Sequence, residues 1–157
     1  MATTSHAHAP AQGRALTRVA VSATLHCLTG CAIGEVAGLA IGTALGWATA
    51  PTIALAVALA FLFGYGLTSL PLLRSGLALS TVVPLALAAD TTSIAVMEVV
   101  DNLFMLAVPG AMAAGLADAL FWGSLAAALA VAFAVTVPVN RALIARGKGH
   151  AVVHAHH

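Results

Sequence analysis

Four long apolar stretches, each closed by helix-breaking or charged residues, dominate the pattern of hydrophobic and polar positions. Pro51, Pro71 with Arg74, and the Pro109-Gly110 pair supply the breaks. A helix that crosses a bilayer needs about 20 apolar residues, and four segments satisfy this: residues 19–47, 52–70, 77–108 and 119–140. The pattern therefore predicts an all-α, polytopic membrane protein with four transmembrane helices.

The third stretch is longer than one crossing requires. As one helix, residues 77–108 would extend about 48 Å, whereas the hydrocarbon core of a bilayer is about 30 Å thick. Pro84 lies near the start of this stretch, and proline suits the first turn of a helix. We therefore expect Pro84 to mark either a kink or the point of membrane entry.

Composition agrees with a membrane domain and excludes several other classes. The 157 residues are 61% hydrophobic and 7% charged, against about 25% charged in soluble domains. The pattern divides the chain into a polar N-terminal tail (1–18), a transmembrane domain (19–145) and a histidine-rich C-terminal tail (146–157). Phosphate-loop, dinucleotide-binding and zinc-protease motifs are absent from the sequence, so no enzymatic activity is predicted. A net charge of +1 does not indicate nucleic-acid binding, and the expected partner is the lipid bilayer.

The basic residues predict the orientation in the membrane. With four spans, all six fall on one side: Arg14, Arg18, Arg74, Arg141, Arg146 and Lys148. By the positive-inside rule, we expect both termini to be cytoplasmic in an inner membrane. Residues 48–50 resemble a signal-peptidase site, but the preceding apolar stretch is much longer than a signal peptide requires. The apolar stretch is therefore interpreted as a membrane span.

A row of glycines follows one face of the first span. Gly30, Gly34, Gly38, Gly42 and Gly46 recur every four residues, which is typical of closely packed membrane helices. Polar side chains lie beside this row in the segment HCLTGCAIGE, residues 26–35. Cys27, Cys31 and Glu35 form a parallel ridge that should face protein rather than lipid. His26 is about 100° away around the helix and should face a different neighbour.

The third span offers a matching polar face. Asp90, Met97, Glu98 and Asp101 fall within a sector about 100° wide, together with Met105. With Pro84 as the entry point, the side chains of the two spans should form two levels. His26, Cys27 and Asp90 form the cytoplasmic level, and Glu35, Glu98 and Asp101 form the outer level. Cys31 and Met97 should lie between these two levels.

These groups predict a metal site between the first and third spans. Thiolate, imidazole and thioether ligands suit Cu(I) first and zinc second, while carboxylates suit harder ions and protons. We expect His26, Cys27, Cys31 and Met97 to be soft ligands, with Glu35, Asp90, Glu98 and Asp101 compensating charge. The six terminal histidines are either a metal-capturing tail or a polar end: His6, His8, His150, His154, His156 and His157.

Three other interpretations remain open. The carboxyl groups could carry protons or cations through a transporter or channel while the thiols only pack. The glycine row could instead dock an accessory subunit onto a larger membrane complex or a second copy of the chain. The two cysteines could also be simple packing residues, because cysteine is commonly buried.

Three segments resemble a family of small bacterial membrane proteins known as domain of unknown function 4396. The segments are ATLHCLTGCAIGE, ALAADTTSIAVMEVVDN and NRALIARGKGHAVVH, and the resemblance covers residues 17–154. It implies a compact polytopic membrane domain and assigns no activity or catalytic residue.

Overall fold

A computed structural model describes residues 9–148, with side chains from residue 13 onward. The described part contains four long helices: α1 (Ala9–Ala44), α2 (Thr49–Arg74), α3 (Leu79–Ala107) and α4 (Ala119–Ala145). A short 3₁₀ turn, Ala111–Ala113, lies between α3 and α4. The predictions about the six terminal histidines lie outside the described residues.

Each of the four helices is long and apolar enough to cross a membrane. The prediction of an all-α, multi-pass membrane protein is therefore confirmed for the part of the chain that the structure describes. Helix α1 begins at Ala9, so half of the predicted polar tail is helical. Polar residues before a span can extend its helix beyond the apolar stretch, which hydropathy alone does not reveal.

The predicted break at Pro109-Gly110 is confirmed, because α3 ends at Ala107, but the other prolines end no helix where the sequence pattern predicted. Helix α2 continues through Pro71 to Arg74, and α3 begins at Leu79, five residues before Pro84. Helix α4 likewise continues through Pro138 to Ala145. A proline removes one backbone hydrogen bond, and near a helix end this loss is too small to stop the helix.

Glycines with a left-handed backbone close the turns after α1 and α2. Gly46 has φ 65°, and the next amide, of Trp47, donates to the Gly42 carbonyl oxygen at 2.8 Å. Gly76 has φ 91° in the equivalent position after α2. This hydrogen-bonding pattern is a helix C-cap that favours glycine. Gly46 was predicted to belong to the packing row of α1, and this is wrong, since it belongs to the turn.

The remaining four glycines of the row pack against α2 of the same chain. Gly30 lies opposite Gly64, and a Cβ atom at position 30 would be only 2.7 Å from the Gly64 Cα. Gly34, Gly38 and Gly42 face Ala60, Ala56 and Thr52 in turn. Close helix packing at the row is thus confirmed, and α2 covers the surface that an accessory-subunit hypothesis would use.

The helices alternate in direction, so the bundle has two distinct ends. All six lysine and arginine residues belong to one end, the basic end, where α1 begins, α2 meets α3 and α4 finishes. The α1–α2 turn and the 3₁₀ turn form the other, the 3₁₀ end. Trp47 and Trp122 are exposed there. Asp118 also lies there and caps α4 by accepting a hydrogen bond from the Leu120 amide at 2.8 Å.

Candidate functional site

Polar and sulfur-bearing side chains meet inside the bundle where α1 and α3 face each other. Seven of the eight residues predicted for the site are buried, and His26 is half-buried. We call the seven buried residues the α1–α3 column: Cys27, Cys31 and Glu35 from α1, with Asp90, Met97, Glu98 and Asp101 from α3. The α1 members recur every four residues, and Asp90, Met97 and Asp101 on α3 are seven and four residues apart, so each set shares a helical face, with Glu98 beside Met97.

At the level nearest the basic end, a thiol meets a carboxyl group. The Cys27 Sγ lies 3.7 Å from the Asp90 Oδ1, in position to donate a weak S–H hydrogen bond. His26 faces α2 instead, with its Nε2 2.9 Å from the Thr68 Oγ1. Thr68 also interacts with Asp90. The level therefore joins α1, α2 and α3, and His26 faces another helix than Cys27, as the helical angles predict.

A buried hydrogen-bond network adjoins this level on the side of α4. The Asn140 Nδ2 donates to the Thr24 Oγ1 at 2.9 Å, and the Ser93 hydroxyl donates to the Asn140 Oδ1. The network ties α1, α3 and α4 together. Thr24 and Ser93 were not predicted to be site residues, although each lies three residues from Cys27 or Asp90 on the same helical face. That three-residue spacing could have indicated that both hydroxyl groups face the α1–α3 column.

Two sulfur atoms face each other at the middle level. The Cys31 Sγ lies 4.0 Å from the Met97 Sδ, and both side chains are within 1% of complete burial. Cys27, one turn earlier on α1, belongs to the same core cluster. All three sulfur-bearing residues of this part of the bundle are therefore shielded from lipid.

Three carboxyl groups gather at the level nearest the 3₁₀ end. Glu35 of α1 approaches Asp101 of α3, and Glu98 lies near both. The side-chain oxygens of Glu98 and Asp101 are all buried, and no donor in the described chain forms a hydrogen bond of good geometry with them. Every lysine and arginine belongs to the basic end. These carboxyl groups therefore need a proton, a cation or water to compensate them, because burying an unpaired charge is costly.

The eight predicted residues form successive levels rather than one compact centre. Within residues 13–148, no three histidine, cysteine, aspartate or glutamate side chains are already arranged to hold a metal ion. Methionine sulfur, however, adds a further soft donor beside Cys31. The arrangement is chemically a path of donors along one helix interface, with sulfur in the middle and carboxyl groups at both sides of it.

The comparisons with known proteins identify a family and nothing more specific. A family profile described as "Domain of unknown function (DUF4396)" matches residues 17–149, which is most of the chain and includes the whole α1–α3 column. Neither the curated proteins nor the solved structures give a match.

Proposed function

The chain belongs to the family of domain of unknown function 4396, and we propose that this member binds and transports a transition-metal ion, copper first. The ion would be held between α1 and α3 by the sulfur atoms of Cys27, Cys31 and Met97. The observation that carries the proposal is the pair of buried sulfurs, Cys31 and Met97, facing each other across the helix interface.

The separation of these sulfurs suits a metal ion bound to both. Two metal–sulfur bonds of about 2.3 Å span the 4.0 Å between the Cys31 Sγ and the Met97 Sδ at an angle of about 120°. That angle belongs to trigonal coordination, in which the third ligand would be a further sulfur. Cys27 supports this role because it lies on the same face of α1, one turn away.

Copper(I) fits the donor set better than zinc does. Thiolate and thioether sulfurs together favour Cu(I), whereas structural zinc is held by four ligands drawn from cysteine, histidine and carboxylates. No such group of three or more is preformed in the described part of the chain. Zinc therefore stays the second choice, and its candidate ligands are His26, Cys27 and Asp90.

The carboxyl groups on either side of the sulfurs support passage rather than permanent storage. Asp90 lies beside Cys27, and Glu98 lies beside Cys31. Each carboxyl group would compensate the charge of a cation that moves past the neighbouring sulfur. We place the protein in an inner membrane with both termini in the cytoplasm, because all six basic residues belong to one end of the bundle.

Copper content measured on the purified full-length protein tests the proposal. The protein is loaded with copper(I) under anaerobic, reducing conditions, passed over a desalting column with a chelator and measured by mass spectrometry. The Cys27→Ser/Cys31→Ser variant should hold one copper ion fewer per chain than the wild type. The terminal histidines are present in both proteins, so their contribution cancels.

Two further variants show whether a loss of copper comes from a missing ligand or from unfolding of the protein. Met97→Leu keeps the side-chain volume and should also lower the retained copper. Thr29→Ser removes an exposed methyl group from the same α1 segment, two residues from each cysteine, and should retain the wild-type amount of copper. Equal copper in the wild type, the double-serine variant and Met97→Leu would overturn the proposal.

A second candidate function rests on the carboxyl cluster alone. The four buried carboxyl oxygens of Glu98 and Asp101 accept no hydrogen bond of good geometry within residues 13–148, and ionisable groups inside membrane proteins commonly mark ion or proton pathways. In this case Glu35, Glu98 and Asp101 would carry protons or cations, and the cysteines would only pack.

Ion flux into proteoliposomes separates the two functions. On the second function, Glu98→Gln and Asp101→Asn abolish flux of protons or alkali cations, while Cys27→Ala leaves it unchanged. Asp118→Asn is the matched control, because Asp118 is an exposed helix cap and asparagine caps equally well. Loss of flux only in the cysteine variant would refute the carboxyl pathway and favour the metal.

A further inference from the structure

A small cavity opens between the helices at the 3₁₀ end, next to the carboxyl level of the α1–α3 column. Its volume is about 30 Å³, enough for one or two water molecules or for a metal ion, since one water needs roughly 10–15 Å³. The lining includes Glu35 from α1, Asn102 and Met105 from α3, and Met112 from the 3₁₀ turn.

Methionine is concentrated along this part of the molecule. The chain has four methionines, and three of them fall within residues 13–148. Met97 contacts Cys31, while Met105 and Met112 both line the cavity. Met105 is buried and Met112 half-buried, so neither side chain is fully exposed on the outer surface of the bundle.

The cavity adjoins the α1–α3 column at Glu35. Glu35 lines it and also approaches Asp101 of the α1–α3 column. One turn further along α1 is Cys31, which faces Met97. Along α1, Glu35 is about one helical turn from Cys31, and along α3, Met105 is about two turns, roughly 12 Å, from Met97.

The donors in the cavity select one class of ion. Thioether sulfur is neutral and soft, and it favours monovalent copper over harder cations. Glu35 is the one acidic side chain in the lining. The two thioethers add no charge to the site, so the charge of a bound cation would be compensated by Glu35 and its neighbour Asp101.

We propose that Met105, Met112 and Glu35 form a second site for a monovalent soft cation, Cu(I) or Ag(I), at the 3₁₀ end of the path. The inference rests on the proposed function for its biological role, as the place where the ion enters or leaves the Cys31–Met97 pair. The binding itself needs only the cavity and can be measured separately.

Silver(I) is a suitable probe because it needs no reductant and shares the sulfur preference of copper(I). The full-length protein is labelled with ¹³C at the methionine methyl groups and titrated with silver nitrate in a chloride-free buffer. The Met105 and Met112 signals should both shift during the titration. They should still shift in the Cys27→Ser/Cys31→Ser variant, which lacks the thiol ligands. Zinc(II) should move neither signal.

The number of silver ions that each chain retains after desalting gives the stoichiometry of the second site. Met105→Leu/Met112→Leu should hold one silver ion fewer than the wild type, and Met97→Leu should leave the Met105 and Met112 shifts intact. The NMR titration uses unsubstituted protein, so it remains decisive if a variant fails to fold.

The outcomes separate this site from the proposed function. Shifts of Met97 alone would overturn the second site and leave the Cys31–Met97 site standing. Shifts of Met105 and Met112 without any effect at Met97, and with no silver lost in the double-serine variant, would support the second site and overturn the proposed function. Unmoved Met105 and Met112 signals overturn the second site in every case.

Discussion

Substituting Gly34 with alanine should strongly destabilise the bundle, because α1 and α2 touch at this glycine. A Cβ atom at position 34 would lie 2.7 Å from the Leu59 carbonyl carbon and closer still to the Ala60 backbone. Real Cβ atoms do not approach backbone this closely, and backbone cannot rotate away as a side chain can. Overpacking of this kind costs about 1–3 kcal/mol.

The matched control is Gly66→Ala on α2. A Cβ atom there meets nothing within 4 Å, and alanine in a helix is more favourable than glycine by about 0.5–1 kcal/mol. The gain in helix propensity is common to both substitutions, so Gly34→Ala should be less stable than Gly66→Ala by about the overpacking cost of 1–3 kcal/mol.

Both variants and the wild type are unfolded with SDS from mixed micelles, and helix content is followed by circular dichroism. Gly34→Ala should unfold at a lower SDS fraction than the wild type, and Gly66→Ala at an equal or higher one. If Gly34→Ala is as stable as Gly66→Ala, the contact between the glycine row and α2 is not as close as described, and the reasoning is refuted.

The polar network and the orientation in the membrane give two more predictions. Asn140→Leu should lower the free energy of unfolding by about 1–3 kcal/mol, because the buried Ser93 hydroxyl loses its acceptor, while the Thr24 hydroxyl keeps its hydrogen bond to the Ala20 carbonyl oxygen. Thr136→Val should not lower it, since that hydroxyl already lacks a partner among the described residues; equal losses in the same SDS assay would contradict this. In a Cys27→Ser/Cys31→Ser background, Ala48→Cys should react with an impermeant maleimide on intact cells, whereas Ser75→Cys should react only after the cells are opened. The opposite labelling would invert the orientation.

Much of the α1–α3 column follows from helical periodicity. Cys27, Cys31 and Glu35 share a face because a four-residue step advances about 40° around a helix, and the same arithmetic groups Asp90, Met97, Glu98 and Asp101. The levels follow from the rise of 1.5 Å per residue. The observed pairs, Cys27 with Asp90 and Cys31 with Met97, match that registration of the two helices.

Other features depend on tertiary packing, which periodicity does not encode. The glycine row predicted a close contact, but a row of small residues does not reveal which helix will cover it. The helix ends differed because Pro71, Pro84 and Pro138 are tolerated inside helices near their ends. Met112 was not predicted to be a site residue because it lies in a 3₁₀ turn, where no helical repeat connects it with Met105.

X-ray absorption at the copper K-edge tests the central claim most directly. The claim is that the ion is held by sulfur from α1 and α3, and the spectrum reports the ligand atoms themselves. Protein carrying Met105→Leu/Met112→Leu isolates the Cys31–Met97 site and is loaded with one equivalent of copper(I). The spectrum should show two or three sulfur neighbours at about 2.3 Å, and the further change Met97→Leu should remove one of them. A first shell of nitrogen and oxygen alone would contradict the claim.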